Sequence, residues 1–253
     1  MNLKKIVTLG VLLGVLGLGS SVNADTSAKD VPPGKVWAYW SFDAADIEGN
    51  HVRDRGPLGL HATIEGEEGA IQSTDAVQGQ GLHFQNNKQG WLTLPRNQNF
   101  GIKPPFTLAA WVKPQSRRAS MDIFCQKAES WREGVRWVFS PRRLFFEYSE
   151  GRGNIQVRYD QHQTQIDQWA FIAVVHDGSH ISLYVDGACV KREAAKPMIP
   201  TTRQAFIGNY ILDKKTYAFV GVLDELIVLR EALSDDKLVE LGQWTLQKRN
   251  HQP

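Results

Sequence analysis

Between Trp169 and Gly187 the chain reads WAFIAVVHDGSHISLYVDG, and few architectures accept such a stretch. Ile181, Leu183 and Val185 alternate with Ser182, Tyr184 and Asp186, which is the period of a strand with one buried face. Asp177-Gly178 separates this run from the β-branched and aromatic run Trp169–His176, so the two should pair as a hairpin. Asp186-Gly187 then turns the chain again, because Gly tolerates the positive φ of a tight turn.

The same pattern recurs along most of the sequence. Strand-like runs rich in β-branched and aromatic residues stand at Val36–Phe42, Gly81–Phe84, Gly90–Leu94, Phe106–Lys113, Asp122–Gln126 and Arg136–Ser140. Others follow at Arg143–Tyr148, Ile155–Tyr159, Gln204–Gly208 and Gly221–Leu229. In Phe106–Lys113, Phe106, Leu108, Ala110 and Val112 share one face, and Thr107, Ala109, Trp111 and Lys113 the other. One segment has a helical pattern, Ser234–Leu241: Ser234 can cap it, Asp235 and Asp236 suit its positive end, and Leu238 and Leu241 are three apart. A dozen strands and one terminal helix predict an all-β fold of two packed antiparallel sheets in a single domain over residues 35–244, with a polar tail at 245–253.

The first two dozen residues are of another kind. Lys4 and Lys5 precede an apolar run from Ile6 to Leu18, and small residues at Val22-Asn23-Ala24 follow. This pattern predicts an export signal over residues 1–24, a polar linker over 25–34, and a secreted or periplasmic mature chain. No second apolar stretch is long enough to cross a bilayer. The signal takes two lysines with it, leaving 27 basic against 27 acidic residues, so charge gives no reason to expect nucleic acid or an anionic membrane as a partner. In an oxidising compartment Cys125 and Cys189 are a candidate disulfide; the alternative is two separate buried thiols.

Three clusters carry a family resemblance. The first is Tyr39-Trp40-Ser41-Phe42-Asp43 with Val52-Arg53-Asp54-Arg55-Gly56 and Gly59-Leu60-His61-Ala62. The second is Gly79-Gln80-Gly81-Leu82-His83-Phe84 leading into Phe106–Val112. The third is Trp169–Gly187 with Phe206-Ile207-Gly208 and Gly221–Leu226. Their order resembles the laminin-G-like jelly roll of the concanavalin A-like lectin/glucanase superfamily, over roughly residues 36–241. The resemblance implies that the first and last strands pair, bringing Asp43 and Asp224 to one edge of the sandwich. It also implies a structural Ca²⁺ there, with these two as side-chain ligands. The alternative is that Asp43 caps a turn and Asp224 accepts backbone N–H bonds without a metal.

Catalysis finds little support in the sequence. The glucanase branch carries Glu-x-Asp-x-x-Glu or Glu-x-Asp-x-Glu on one strand, and this chain has neither. Glu147 and Glu150, three apart, point to opposite faces of a strand. A Gly-x-Ser-x-Gly elbow, a His-Glu-x-x-His helix and a phosphate-binding Gly loop are all missing.

Ligand-binding candidates fall in two regions. Arg117–Arg158 holds nine Lys/Arg against five acids, interleaved with Trp131, Trp137, Phe145, Phe146, Tyr148 and Tyr159. Aromatic faces stack on sugar rings and Arg forks grip carboxylate or sulfate, so Trp131, Arg136, Trp137, Tyr148 and Arg158 are candidates for an anionic glycan. Alternatively the aromatics point into the core and the charges form a solvated face. The second region is a sheet face on which Trp111 and Tyr184 line a groove, or else pack beneath terminal segments. The expectation is an exported, non-enzymatic module that binds a glycan or another cell-envelope component. A polysaccharide hydrolase or lyase, and an envelope protein-interaction module, are the alternatives.

Overall fold

The structure, a computed structural model, describes residues 31–161, 164–210 and 216–247. The segment expected to be an export signal, part of the expected linker and the end of the expected tail lie outside them. Among the described residues the chain forms β1 (Val36–Trp40), β2 (Ile47–Glu48), β3 (His51–Val52), β4 (Ala62–Gly66), β5 (Ile71–Asp75) and β6 (Gln80–Phe84). Next come β7 (Gly90–Leu94), β8 (Phe106–Pro114), β9 (Met121–Lys127), β10 (Gly134–Ser140), β11 (Arg143–Ser149) and β12 (Asn154–Tyr159). Then follow β13 (Ala170–His176), β14 (His180–Val185), β15 (Ala188–Ala194), β16 (Ala205–Ile207), β17 (Gly221–Leu229) and the helix α1 (Asp235–Gln247).

These strands make two antiparallel sheets, as a jelly-roll sandwich requires. One runs β15-β14-β13-β8-β17-β6-β5, with β1 also pairing β17; the other runs β12-β11-β10-β9-β16-β7-β4-β3-β2. First and last strands are neighbours: Tyr39 faces Ile227 and Trp40 faces Leu226. The Asp-Gly turns act as their chemistry dictates. Asp177 Oδ1 accepts the N–H groups of Ser179 and His180 at 2.8 and 2.7 Å. Asp186 and Gly187, at φ 50° and 82°, connect Val185 directly to its partner Ala188.

The alternating side chains seal one core between the sheets. Trp40, Leu82, Phe106, Leu108, Val112 and Leu223 from one layer meet Ile123, Phe124, Trp137, Phe139, Phe146 and Ile207 from the other. A second cluster lies on the outer face of the first sheet. There Leu238 and Leu241 of α1 pack with Tyr39, Phe171, Ala173, Tyr184 and Ile227. The helix is longer than its sequence pattern suggested and takes in the start of the expected polar tail, because Thr245 is buried and Trp244 meets Tyr39 edge-on at 5.9 Å. No helix among the described residues is long and apolar enough to cross a membrane.

The candidate disulfide is corrected. Cys125 is buried on β9, beside Arg136 of β10 and Phe206 of β16. Cys189 is exposed on β15 of the other sheet, so the two do not form a disulfide.

Candidate functional site

Strand alternation on β9–β12 decides which side chains face away from the core. Val135, Trp137, Phe139, Leu144, Phe146, Tyr148 and Val157 point into it. Their neighbours Asp122, Lys127, Arg136, Phe145, Glu147, Gln156 and Arg158 take the outer face, where Arg136 stands beside Glu147, and Glu147 beside Gln156. Trp137 and Tyr148, both fully buried, are therefore core residues and not ligand contacts; the Tyr148 hydroxyl accepts the Lys196 N–H at 2.9 Å. Of the aromatics that looked like a sugar platform, Trp137, Phe146, Tyr148 and Tyr159 pack on the core side, leaving Phe145 on the outer face and Trp131 in the connection before β10.

The outer face carries two buried ion pairs under an aromatic cover. Arg136 donates from Nε and Nη2 to the two carboxylate oxygens of Asp122, at 2.5 and 2.8 Å. Its guanidinium carbon lies 4.3 Å from the Tyr210 ring centre and 4.4 Å from that of Tyr217. Lys127 Nζ donates to Glu147 at 2.5 Å and to Asn154 at 2.9 Å, and sits 5.1 Å from the Trp131 ring. Gln156 donates to the second Glu147 oxygen at 2.7 Å. Trp131 meets Tyr210 edge-on at 5.6 Å and is 38% exposed, so it forms the accessible rim of this cluster. The buried Tyr210 hydroxyl finds no hydrogen-bond partner among the described residues.

Electrostatics follow from burial. Desolvation pushes the Asp122 carboxyl up to about 6 against the pull of Arg136. It also lowers Lys127, with Glu147 opposing the shift. At neutral pH both acids remain matched by cations, so this part of the face is close to neutral despite its lysine and arginine.

The remaining candidates divide. Trp131 and Arg136 are brought together by their shared neighbour Tyr210. Arg158 lies further along the same outer face, exposed, and donates to Asp160 at 2.6 Å. Trp111 and Tyr184 do not line one groove together: Tyr184 borders a cleft of about 580 Å³ with Ser182, Arg192 and Asp235, and Trp111 is not part of it. Helix α1 covers them, Trp111 Nε1 donating to Thr245 Oγ1 at 2.8 Å and Tyr184 OH to Asp235 at 2.7 Å. Tyr210 and Tyr217 were missed in sequence. They follow β16, and no local pattern announces that β16 lies against β9.

Asp43 and Asp224 converge on one short segment. Asp224 accepts the Gln78 N–H at 3.1 Å and Asp43 that of Gln80 at 3.2 Å. Gly79 lies between, at φ +60°, and a Cβ there would stand 2.2 Å from Asp43 Oδ1. Arg55 bridges Asp43 and Asp46 at 3.8 and 2.6 Å. Among the described residues no group of three or more His, Cys, Asp or Glu is arranged to hold a metal.

Comparison with known proteins agrees with this architecture. The laminin G family model of the concanavalin A-like lectin/glucanases superfamily matches residues 86–239. Among solved structures, domain 4 of AbnA, a GH43 extracellular arabinanase from Geobacillus stearothermophilus in complex with arabinotriose, superposes with TM-score 0.64 at 21% identity, covering 83% of this chain and 98% of that domain. The botulinum neurotoxin serotype G binding domain gives TM-score 0.63 at 12% identity over 82% of this chain and 50% of its own. The binding domain of Paraclostridial Mosquitocidal Protein 1 gives 0.60 at 14%, over 84% and 52%. This chain thus spans about half of each toxin binding domain. No curated protein sequence matches.

Proposed function

The chain belongs to the concanavalin A-like lectin/glucanases superfamily, and on that premise we propose that it is an exported, non-enzymatic carbohydrate-binding module whose ligand lies on the outer face of β9–β12. The observation that carries this reading is the pairing of Trp131, an exposed ring, with polar groups already fixed around it. The buried Lys127–Glu147 pair holds Asn154 and Gln156 in place, and these two amides, nearer the surface, offer hydroxyl-binding groups with little ordering left to do. Neutral sugars need that combination of a flat apolar surface and preorganised hydrogen bonding. Domain 4 of the arabinanase, in complex with arabinotriose, supports the ligand class. Binding is favoured over glycoside hydrolysis because Asp122 and Glu147 are each committed to a cation.

The test is retention on a panel of polysaccharides including arabinan, with reducing-end release followed in parallel. Retention that falls with Trp131→Ala, without product, is the expected result. Product release, or no retention on any glycan, overturns the proposal.

A structural Ca²⁺ at the Gln78–Gln80 segment is part of the same proposal. The donor set suits it: Asp43, after β1, and Asp224, on β17, are hard oxygen ligands that converge on this segment, and Gly79 leaves a cradle that any side chain would fill. Backbone carbonyls would complete the shell.

A further inference from the structure

Five arginines gather at the end of the same outer face. Arg117 and Arg118 come from the β8–β9 connection, Arg142 from the β10–β11 turn, Arg143 from the start of β11, and Arg158 from β12. With Ser140, Pro141 and Asp160 they line a cleft of about 560 Å³. Asp160 is its sole carboxylate and is already shared, accepting Arg143 Nε at 2.9 Å and Arg158 Nε at 2.6 Å. Arg118 donates to the Ala218 carbonyl at 3.4 Å. Arg117 and Arg142 are exposed and form no ion pair with a described carboxylate. Five guanidinium charges against one acid stand in a chain whose residues 25–253 carry 27 bases and 27 acids.

We propose that this cleft is a subsite for the carboxylate or sulfate group of an acidic glycan bound on the β9–β12 face. It rests on the carbohydrate reading of that face and adds the ligand's charge. Arg136 and Lys127 cannot supply anion recognition, since Asp122 and Glu147 neutralise them inside the protein. The arginine cleft can, and its composition is specific: every cation is a planar fork suited to two-point contact with an oxyanion, and none is a lysine. The surroundings favour a sugar over a free ion. A neighbouring cleft of about 710 Å³ shares Arg117, Pro141, Arg142 and Asp160 and continues with Gln161, Thr164 and Gln165, whose amides and hydroxyl match sugar hydroxyls.

The experiment pairs arabinan, dextran and galactan with their sulfated derivatives and titrates each against the wild-type protein, the Arg117→Gln/Arg142→Gln double variant and Trp131→Ala. At least one sulfated glycan should bind wild type tenfold or more tightly than its neutral parent, weakening as salt rises. The double variant should lose that preference by about tenfold at unchanged melting temperature. Equal affinity for sulfated and neutral forms, an undiminished preference in the double variant, or equally tight binding of a DNA duplex overturns the proposal. Neutral glycan binding that depends on Trp131 but gains nothing from sulfation defeats the cleft alone. Arginine-dependent sulfated binding indifferent to Trp131 defeats the aromatic-face reading instead.

Discussion

Both carboxylate oxygens of Asp122 hold Arg136, at 2.5 and 2.8 Å, with the acid wholly shielded from solvent. Removing one partner leaves the other as an uncompensated buried charge. Asp122→Ala should therefore cost about 3–5 kcal/mol, read as a lower urea midpoint. The double replacement Asp122→Leu/Arg136→Met should recover most of that loss, because it removes both charges together.

His176 should make the fold acid-sensitive. Its ring lies 5.5 Å from Phe106 and 6.4 Å from Tyr148, Nδ1 accepts the Gly178 N–H, and the buried Nε2 has no hydrogen-bond partner among the described residues. Burial lowers its pKa to about 4 from 6.5. The unfolded chain therefore takes up the proton first as pH falls. The histidine's contribution is complete above pH 6.5 and is lost progressively down to about 4, a swing of about 3 kcal/mol. Asp122 acts in the opposite sense: raised to about 6 in the fold, it holds its proton there longer, and its contribution declines as pH rises from 3.8 to 6. Denaturation midpoints for wild type and His176→Phe between pH 4 and 7 check this; the variant should lose most of the acid-side decline.

Two tryptophans six residues apart should behave as opposites. Trp137→Ala empties a fully buried core position and should cost about 3–5 kcal/mol. Trp131→Ala removes an exposed ring and should leave the melting temperature within a degree or two while reducing glycan affinity about tenfold. Calorimetry and titration on both variants separate the roles.

If Ca²⁺ sits against Gln78–Gln80, a chelator should lower the melting temperature of the wild type. Asp224→Ala should abolish that response, and Gly79→Ala should weaken it by crowding Asp43. Differential scanning calorimetry with and without added Ca²⁺ provides the readout.

Where side chains alternate cleanly, the architecture was legible. Ile181–Val185 and Gly221–Leu229 gave strand, turn and buried face, and the family resemblance gave the pairing that sets Trp40 opposite Leu226. β5 (Ile71–Asp75) and β15 (Ala188–Ala194) escaped notice because edge positions tolerate polar residues that blur the alternation. At the site, sequence located Arg136 and Trp131 but could not tell them from inward-facing Trp137, since a one-residue offset reverses the side of a strand. Register with Asp122 and Glu147, and the arrival of Tyr210 and Tyr217, depend on strands far apart in the chain.

Helix α1 gives the molecule a back and a front. Roofing Trp111 and Tyr184 takes part of one sheet's outer surface out of contact, and the glycan proposed above approaches the outer face of the other sheet. Cys189, exposed on a strand of the roofed sheet, therefore offers a thiol at which a fluorophore or surface linker could be attached without obstructing that approach.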